Sequence, residues 1–314
     1  MLQVEPTQPS GTSTPSPSCH EAPDWAVTAV DDAEPETCRT NVGLETTIRR
    51  GPLFSLVSAR ISNARQMDAT LLREMTKQTY RAIFDAIGAR HLIRVWNFIP
   101  GLLDPVGSSP QRYMVFNAGR HDAFGQRFNG RQEFPSVVPT ASGVGTSGTD
   151  LEIHALASEV LGTALANPRQ IDSFSYSQEY GWPPPCFARA TAVTWPGAAA
   201  ERLLVGGTAA VRGEKTVFED SLEGQTEETF KNLAAVVGAG LGNHGLDVED
   251  DFVRKDLLAR FRHIRTYYTQ PESLEAIAAS TARVFPNAEP IELARAELCR
   301  EDLLIEIEGW ADLG

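Results

Sequence analysis

Two glutamates, Glu306 and Glu308, interrupt the apolar run LLIEIEGW near the end of the 314-residue chain. In a strand, alternate residues share a face. The two carboxylates therefore point the same way, together with Leu304, while Leu303, Ile305 and Ile307 take the other side. A carboxyl at the edge of an apolar core has its pKa raised by desolvation, which suits a general acid at neutral pH. Taken alone, either glutamate is equally compatible with a solvated strand face. A second set of residues is cationic. Arg189 follows YGWPPPCFA, Arg120 follows YMVFNAG, and Arg295 sits within ELARAELC. Each is a surface charge if read singly. With Tyr176 and Tyr180 they make a set able to bind a small dianion.

Other chemistries find little support. There is no phosphate-loop pattern and no G-x-S-x-G serine elbow. GVGTSG from Gly143 lacks the helix a nucleotide loop needs, because the next segment, DLEIHAL, reads as a strand. The histidines form no H-x-x-x-H or H-E-x-x-H pair, and Cys19, Cys38, Cys186 and Cys299 lie far apart, so no metal ligand set and no cofactor are expected. His154, in an apolar strand, reads as a core residue. The net charge of -13 argues against a nucleic-acid partner. It leaves room for a small anion held by local arginines. No apolar run approaches the roughly 18 residues of a membrane span, and a secretory signal pattern is missing. The cysteine pattern fits reduced thiols and a cytoplasmic protein.

Periodicity supplies the elements that position these residues. Residues 1–42, rich in Pro, Ser, Thr and acidic residues, read as a flexible arm with a short docked piece near Trp25 to Val30. Strands are expected at Leu53–Ile61, His91–Ile99, Arg112–Ala118 and Asp150–Ser158, with a turn-rich stretch at Gly143, Gly145 and Gly148. Asp68 caps a helix that runs to Ile87 and stops at Gly88. In the second half, Phe187–Trp195 and Arg202–Val211 form a strand pair. A helix over Thr226–Gly240, a strand at His263–Thr269 and a helix over Pro271–Phe285 follow. Strands at Ile291–Leu298 and Leu303–Glu308 close the chain. HLIRVWNFIP from His91 is echoed by RHIRTYYTQP from Arg262, and DLEIHAL from Asp150 by DLLIEIE from Asp302. The echoes fall in the same order, so a duplicated α+β unit is predicted, with helices on one face of each sheet. The units are placed at 43–165 and 166–314. In this alignment His154 occupies the place of Glu306.

Five segments then carry a family resemblance. HLIRVWNFIP, RYMVFNAGRHDAF, NPRQIDSFSYSQEYGWPPPCFARA, LLVGGTAAVRGEKTVFEDSLEGQTEETFKNL and LCREDLLIEIEG resemble, in order, segments of the chorismatases, over Gly51 to Gly309. The resemblance implies two RidA/YjgF-like (chorismate-mutase-like) halves with a site in the cleft between them. It implies cleavage of the enolpyruvyl ether of chorismate to pyruvate, without metal or cofactor. The other product would be 3-hydroxybenzoate, a mixture with 4-hydroxybenzoate, or a dihydroxycyclohexadiene carboxylate. Glu306 matches the catalytic acid. Tyr180, Arg189, Arg120, Arg295 and Thr208 match substrate-contact positions. Ala209 and Cys299 match positions whose identity goes with product type. Glu308, nearer the chain end, is expected to be wetter than Glu306. A chain of two such units is a monomer (a pseudo-oligomer in itself) or a homo-oligomer. An imine deaminase of the RidA type and a non-enzymatic aromatic-acid-binding module are the alternatives. No arginine occurs near Ile291, where the deaminases hold their substrate arginine, which speaks against the first of them.

Overall fold

The computed structural model describes residues 20–30, 33–39, 43–107, 109–128 and 134–314. Residues 1–19 of the arm expected to be flexible, Cys19 among them, lie outside the described residues. The described part begins with a short helix α1 (Asp24–Thr28). The first half then runs β1 (Glu36–Arg39), β2 (Leu44–Arg50), β3 (Phe54–Ile61), α2 (Ala69–Ile87) and β4 (His91–Pro100). A small pair, β5 (Pro105–Val106) and β6 (Ser109–Gln111), leads into α3 (Arg112–Arg127), α4 (Phe134–Val137), β7 (Thr140–Thr146) and β8 (Leu151–Ser158). The second half runs β9 (Thr163–Leu165), β10 (Ala190–Val193), β11 (Arg202–Ala209), and a pair β12 (Val211–Arg212) and β13 (Lys215–Thr216). It continues with α5 (Leu222–Gly240), α6 (Asp251–Leu258), β14 (Phe261–Tyr268), α7 (Leu274–Val284), β15 (Ile291–Arg295) and β16 (Ile305–Asp312).

The duplication is plain in the two six-stranded sheets. Their orders are β1-β2-β3-β8-β4-β7 and β9-β10-β11-β16-β14-β15. Each has one parallel pair, β4 with β7 and β14 with β15, and antiparallel neighbours elsewhere. The register agrees with the echoes in the sequence. Trp96 lies opposite His154 in the first sheet, and Tyr267 opposite Glu306 in the second. The chain passes from the first sheet to the second between β8 and β9.

Each sheet buries one face under helices. Leu72, Tyr80 and Ile83 of α2 and Phe116 and Phe124 of α3 pack on Val57, Val95 and Ala155. Phe230, Leu233 and Val237 of α5 pack on Val205, Ile305 and Ile307. Asp68 caps α2 by accepting from the Leu71 amide, and Gly88 ends the helix at positive φ. The helix-free faces of the two sheets meet in a third apolar cluster that includes Leu56, Trp96, Phe98, Leu204 and Tyr267. Ala22, Ala26 and Val30 are buried in the same cluster. The stretch expected as a flexible arm to residue 42 is thus docked from His20 to Val30, and β1 adds an edge strand. Among the described residues no helix is long and apolar enough to cross a membrane.

Two sequence expectations are corrected. Arg112–Ala118 is the start of helix α3, not a strand. Its buried apolar residues Val115, Phe116, Gly119, Ala123 and Phe124 recur at helical spacing well past Ala118, although Asn117, Ala118 and Arg120 are buried too. The parallel pairing of β4 with β7 also demands a crossover between them. Gly119 lets the crossover sit close on α2, since a Cβ there would strike the Arg73 carbonyl. Second, Gly143 and Gly145 lie in strand β7 rather than in a turn. Glycine is tolerated because the second half crowds this strand: a Cβ on Gly145 would come 2.6 Å from that of Glu297.

Candidate active site

Strand β16 lies at the centre of the second sheet, between β14 and β11. Ile305 and Ile307 turn toward the helices. Glu306 and Glu308 turn toward the first half. Opposite Glu306 on β11 is Ala209. Between Val205 and Thr208 the pairing shifts, so that Gly206 and Gly207 together face Glu308 in a β-bulge. Both glycines are needed at this point. A Cβ on Gly206 would come within 2.8 Å of the Ala141 carbonyl on β7, and one on Gly207 would land on the Glu306 carboxyl. The GG pair therefore admits the edge of the first sheet and the acid side chain together.

A cleft of about 500 Å³ opens above Glu306, a size usual for small-molecule sites. Its floor is Glu306, Gly207 and Ala209. One wall is β7 with Ser142 and Gly143. Tyr113 and Arg120 come from α3, and Tyr176, Tyr180 and Arg189 from the long segment between β9 and β10. Cys299 and Arg300, between β15 and β16, complete the rim.

Glu306 is 4% exposed. Its carboxyl is pushed up to about 8, mainly by burial and then by the negative charge of Glu308, against the pull of Arg94 and Arg189. Glu308 corrects the expectation that it is the wetter of the two. It is 1% exposed and ion-paired, with Arg94 Nη2 2.7 Å from Oε2 and Trp96 Nε1 donating to Oε1 at 2.9 Å. Position in the chain misled here, because the partner groups come from β4, more than 200 residues away.

Arg189 is buried just before β10. Its Nη2 donates to the Ile171 carbonyl at 2.7 Å and to the Tyr176 hydroxyl at 2.6 Å, and the guanidinium lies over the Phe187 ring. Arg120, on a helix rather than near a strand, donates to Asn117 Oδ1 at 2.9 Å. The Nε groups of both arginines are buried without a partner among the described residues. Tyr180 is half-buried and stacked by Arg300, whose guanidinium sits 4.0 Å from the ring centre. Burial pushes the Cys299 thiol up to about 12, helped by Glu306.

Two expected contacts do not reach this cleft. Arg295 is exposed on edge strand β15, donates to the Thr269 carbonyl and faces a separate groove. Its strand is the far edge of the second sheet. Thr208 pairs with Ile307 and shares its orientation toward the helices, and its hydroxyl donates to the Gly206 carbonyl. The bulge puts Gly207 and Ala209, not Thr208, on the cleft side. Conversely, Ser142, Tyr113 and Arg300, which line the cleft, were missed, as was Arg94, which lies outside the lining and pairs with Glu308. Arg94 had a legible signal, a charged residue within the echoed apolar strand. Ser142 was hidden in the stretch read as a turn. Among the described residues no group of three or more His, Cys, Asp or Glu is placed to hold a metal ion.

The fold and cleft define a duplicated α+β protein with a buried acid facing arginines across the seam of its halves. Its relatives give the class a name. Residues 35–157 match the family described as "Chorismatase FkbO/Hyg5-like, N-terminal". A "Chorismatase" of Streptomyces rapamycinicus is 32% identical over 239 residues, covering 74% of this chain and 69% of the relative. A "3-hydroxybenzoate synthase" of Streptomyces hygroscopicus is 32% identical over 246 residues, covering 75% and 68%. A solved structure of a chorismatase superposes with a TM-score of 0.72 at 26% identity, covering 88% of this chain and 79% of the other. The chain belongs to the chorismatase family.

Proposed function

We propose that this chain cleaves the enolpyruvyl ether of chorismate and releases pyruvate, with Glu306 as the proton donor. The observation that carries the reading is a buried carboxyl that keeps its proton to about pH 8 on the floor of a cleft flanked by arginines.

Chorismate carries two carboxylates and an enol ether. The ether is activated when a proton reaches its terminal methylene carbon. Carbon protonation is slow, and a positioned acid contributes typically about 10²- to 10⁴-fold. Glu306 delivers the proton, and an oxocarbenium ion forms at the ether carbon. Water can trap that ion. The hemiketal then collapses to pyruvate and a dihydroxycyclohexadiene carboxylate. Alternatively the ring participates, and aromatisation gives 3-hydroxybenzoate, with or without the 4-isomer, and pyruvate with no net water consumed. Arg189 and Arg120, each with a free Nε–H, and Tyr180 hold the substrate carboxylates and fix the ether over Glu306. Cys299 and Ala209 line the same cleft and belong to the same apolar cluster, and they bias the choice between routes by the room they leave.

The partner is thus a small molecule, and neither nucleic acid nor membrane enters the reading. A cytoplasmic setting goes with it, since the described cysteines form no disulfide. The test is to incubate the purified protein with chorismate, quantify pyruvate and separate the products by chromatography. Pyruvate with an aromatic acid or diene diol is expected. Ammonia from an imine substrate, with chorismate untouched, would replace this reading by the deaminase. Retention of unaltered chorismate would replace it by a binding module.

A further inference from the structure

Glu306 does not meet its neighbours at random. Two residues further along β16, about 6.6 Å at strand spacing, Glu308 shares its face and is buried. Both oxygens of Glu308 are fixed by the first half: Oε2 by Arg94 and Oε1 by the indole of Trp96. The same Arg94 nitrogen donates to Ser142 Oγ at 2.6 Å, and Ser142 Oγ accepts from the Gly207 amide at 2.9 Å. A second Arg94 nitrogen is taken by the Val95 carbonyl. The network therefore runs from Glu308 through Arg94 and Ser142 to the glycine that carries the Glu306 carboxyl. Arg265, opposite Glu308 on β14, adds a charge attraction to it but makes its hydrogen bonds elsewhere, to Glu292 and the Glu21 carbonyl. That leaves Arg94 and Trp96 as the groups that hold Glu308.

We propose that Glu308, Arg94 and Trp96 are positioning residues, a charge fixture built across the two halves that keeps a negative charge beside Glu306 and so keeps the acid loaded with its proton between turnovers. The inference rests on the reading of Glu306 as proton donor. Other groups also face the acid: Arg189 from before β10, Tyr113 from α3, Tyr267 opposite it on β14 and Cys299 from before β16. Tyr113, Tyr267 and Cys299 have their protons held on by burial, so near neutral pH they add no charge. Arg189 opposes the fixture. The two members of the ion pair act with opposite sign: Glu308 favours the protonated acid and Arg94 disfavours it.

That opposition provides a test that a merely structural pair would not pass. Glutamate δ-carbon NMR titration of the substrate-free protein, with the Glu306 signal assigned by its loss in Glu306→Gln, reads the acid directly. The pH profile of kcat for pyruvate release reads it in action. In Glu308→Gln both midpoints should fall by about one pH unit or more, and in Arg94→Met they should rise. The single variants leave a buried charge unpaired and put the fold at risk. The double variant Arg94→Met/Glu308→Met removes both charges and keeps the core apolar. Its midpoint should lie below that of the wild type and above that of Glu308→Gln. Unmoved midpoints, or single variants moving in the same direction, overturn the proposal, and if the singles do not fold, a double variant with the wild-type midpoint does so. If Glu306→Gln keeps full turnover, the acid assignment fails, yet the NMR midpoints still decide whether the fixture acts on Glu306.

Discussion

The Glu306 cleft has a counterpart in the first half, and the two places differ at every step. His154 takes the position of Glu306 on β8, and Ser58 the position of Ala209 on β3. Glu306 looks into an open cleft. His154 is partly buried, with Nδ1 bonded to Ser58 Oγ and Nε2 to the His20 carbonyl, both at 2.8 Å. Burial holds its pKa down. The chain itself fills this second place. Arg265 donates to the Glu21 carbonyl, and Trp25 lies edge-on to both Trp96 and Trp195. The counterpart arginines show the same divergence: Arg94 pairs with Glu308 beneath the cleft, whereas Arg265 pairs with Glu292 beneath the docked segment. Of the two equivalent positions, one is covered by the chain itself and the other opens on a cleft.

The largest effect should come from the acid. Glu306→Gln keeps the shape but has no carboxyl proton, and kcat should fall about 10²-fold or more with KM nearly unchanged, as for an interaction made only in the transition state. His154→Gln, the mirrored substitution, should leave kcat within about twofold, since loss of one hydrogen bond there costs stability on the order of 1 kcal/mol and touches no substrate. Equal losses of kcat in the two variants would abolish the distinction between the sites. Next comes binding. Arg189→Ala removes a charge-assisted contact worth about 1.5–3 kcal/mol, so KM should rise roughly 10- to 100-fold. Arg295→Ala, in a separate groove, should leave KM unchanged. Steady-state kinetics on pyruvate release checks both.

A third prediction concerns stability. Glu306 titrates near 4.5 when unfolded and near 8 when folded, so between these values the unfolded state binds fewer protons. Stability contributed by this group is therefore lost as pH rises through that window. Glu306→Gln removes the penalty. Its Tm should exceed that of the wild type by an amount that grows from pH 4.5 to pH 8, as scanning calorimetry would read. A flat difference would mean that the carboxyl is not held protonated. The smallest change is in product. Cys299→Val adds bulk at a position that lines the cleft. It should shift the products toward the diene diol without stopping turnover, and chromatography of the products would show an unchanged ratio if Cys299 has no part in selectivity.

Much of this contrast was readable in the residues. The echoed strands put Glu306 and His154 at equivalent positions, and the register of both sheets agrees. The cap at Asp68 and the stop at Gly88 were local signals, and local signals fix helix ends. What escaped depended on tertiary context far away in the sequence. Arg112–Ala118 has the composition of a strand, and only the need for a crossover and the spacing beyond Ala118 make it helical. Gly143 and Gly145 look like turn residues until Glu297 and Tyr113 are seen against them. Glu308 looks solvated until Arg94 arrives from the opposite half. Arg295 and Thr208 were plausible by type, but edge position and a one-residue bulge turned them elsewhere.

That bulge carries an engineering consequence. In the first half Leu56 faces Leu156 in unbroken pairing, whereas in the second Gly206 and Gly207 together face Glu308. The second half thus has one residue that its twin lacks. A glutamate grafted at position 154 would gain the side chain but not the vacancy beside it, because no small extra residue makes room on β3. Restoring a working pair of sites would require an insertion as well as substitutions. The two halves differ by a change in length that point mutation alone does not cross, so a library built from substitutions at 154 would leave the second site closed.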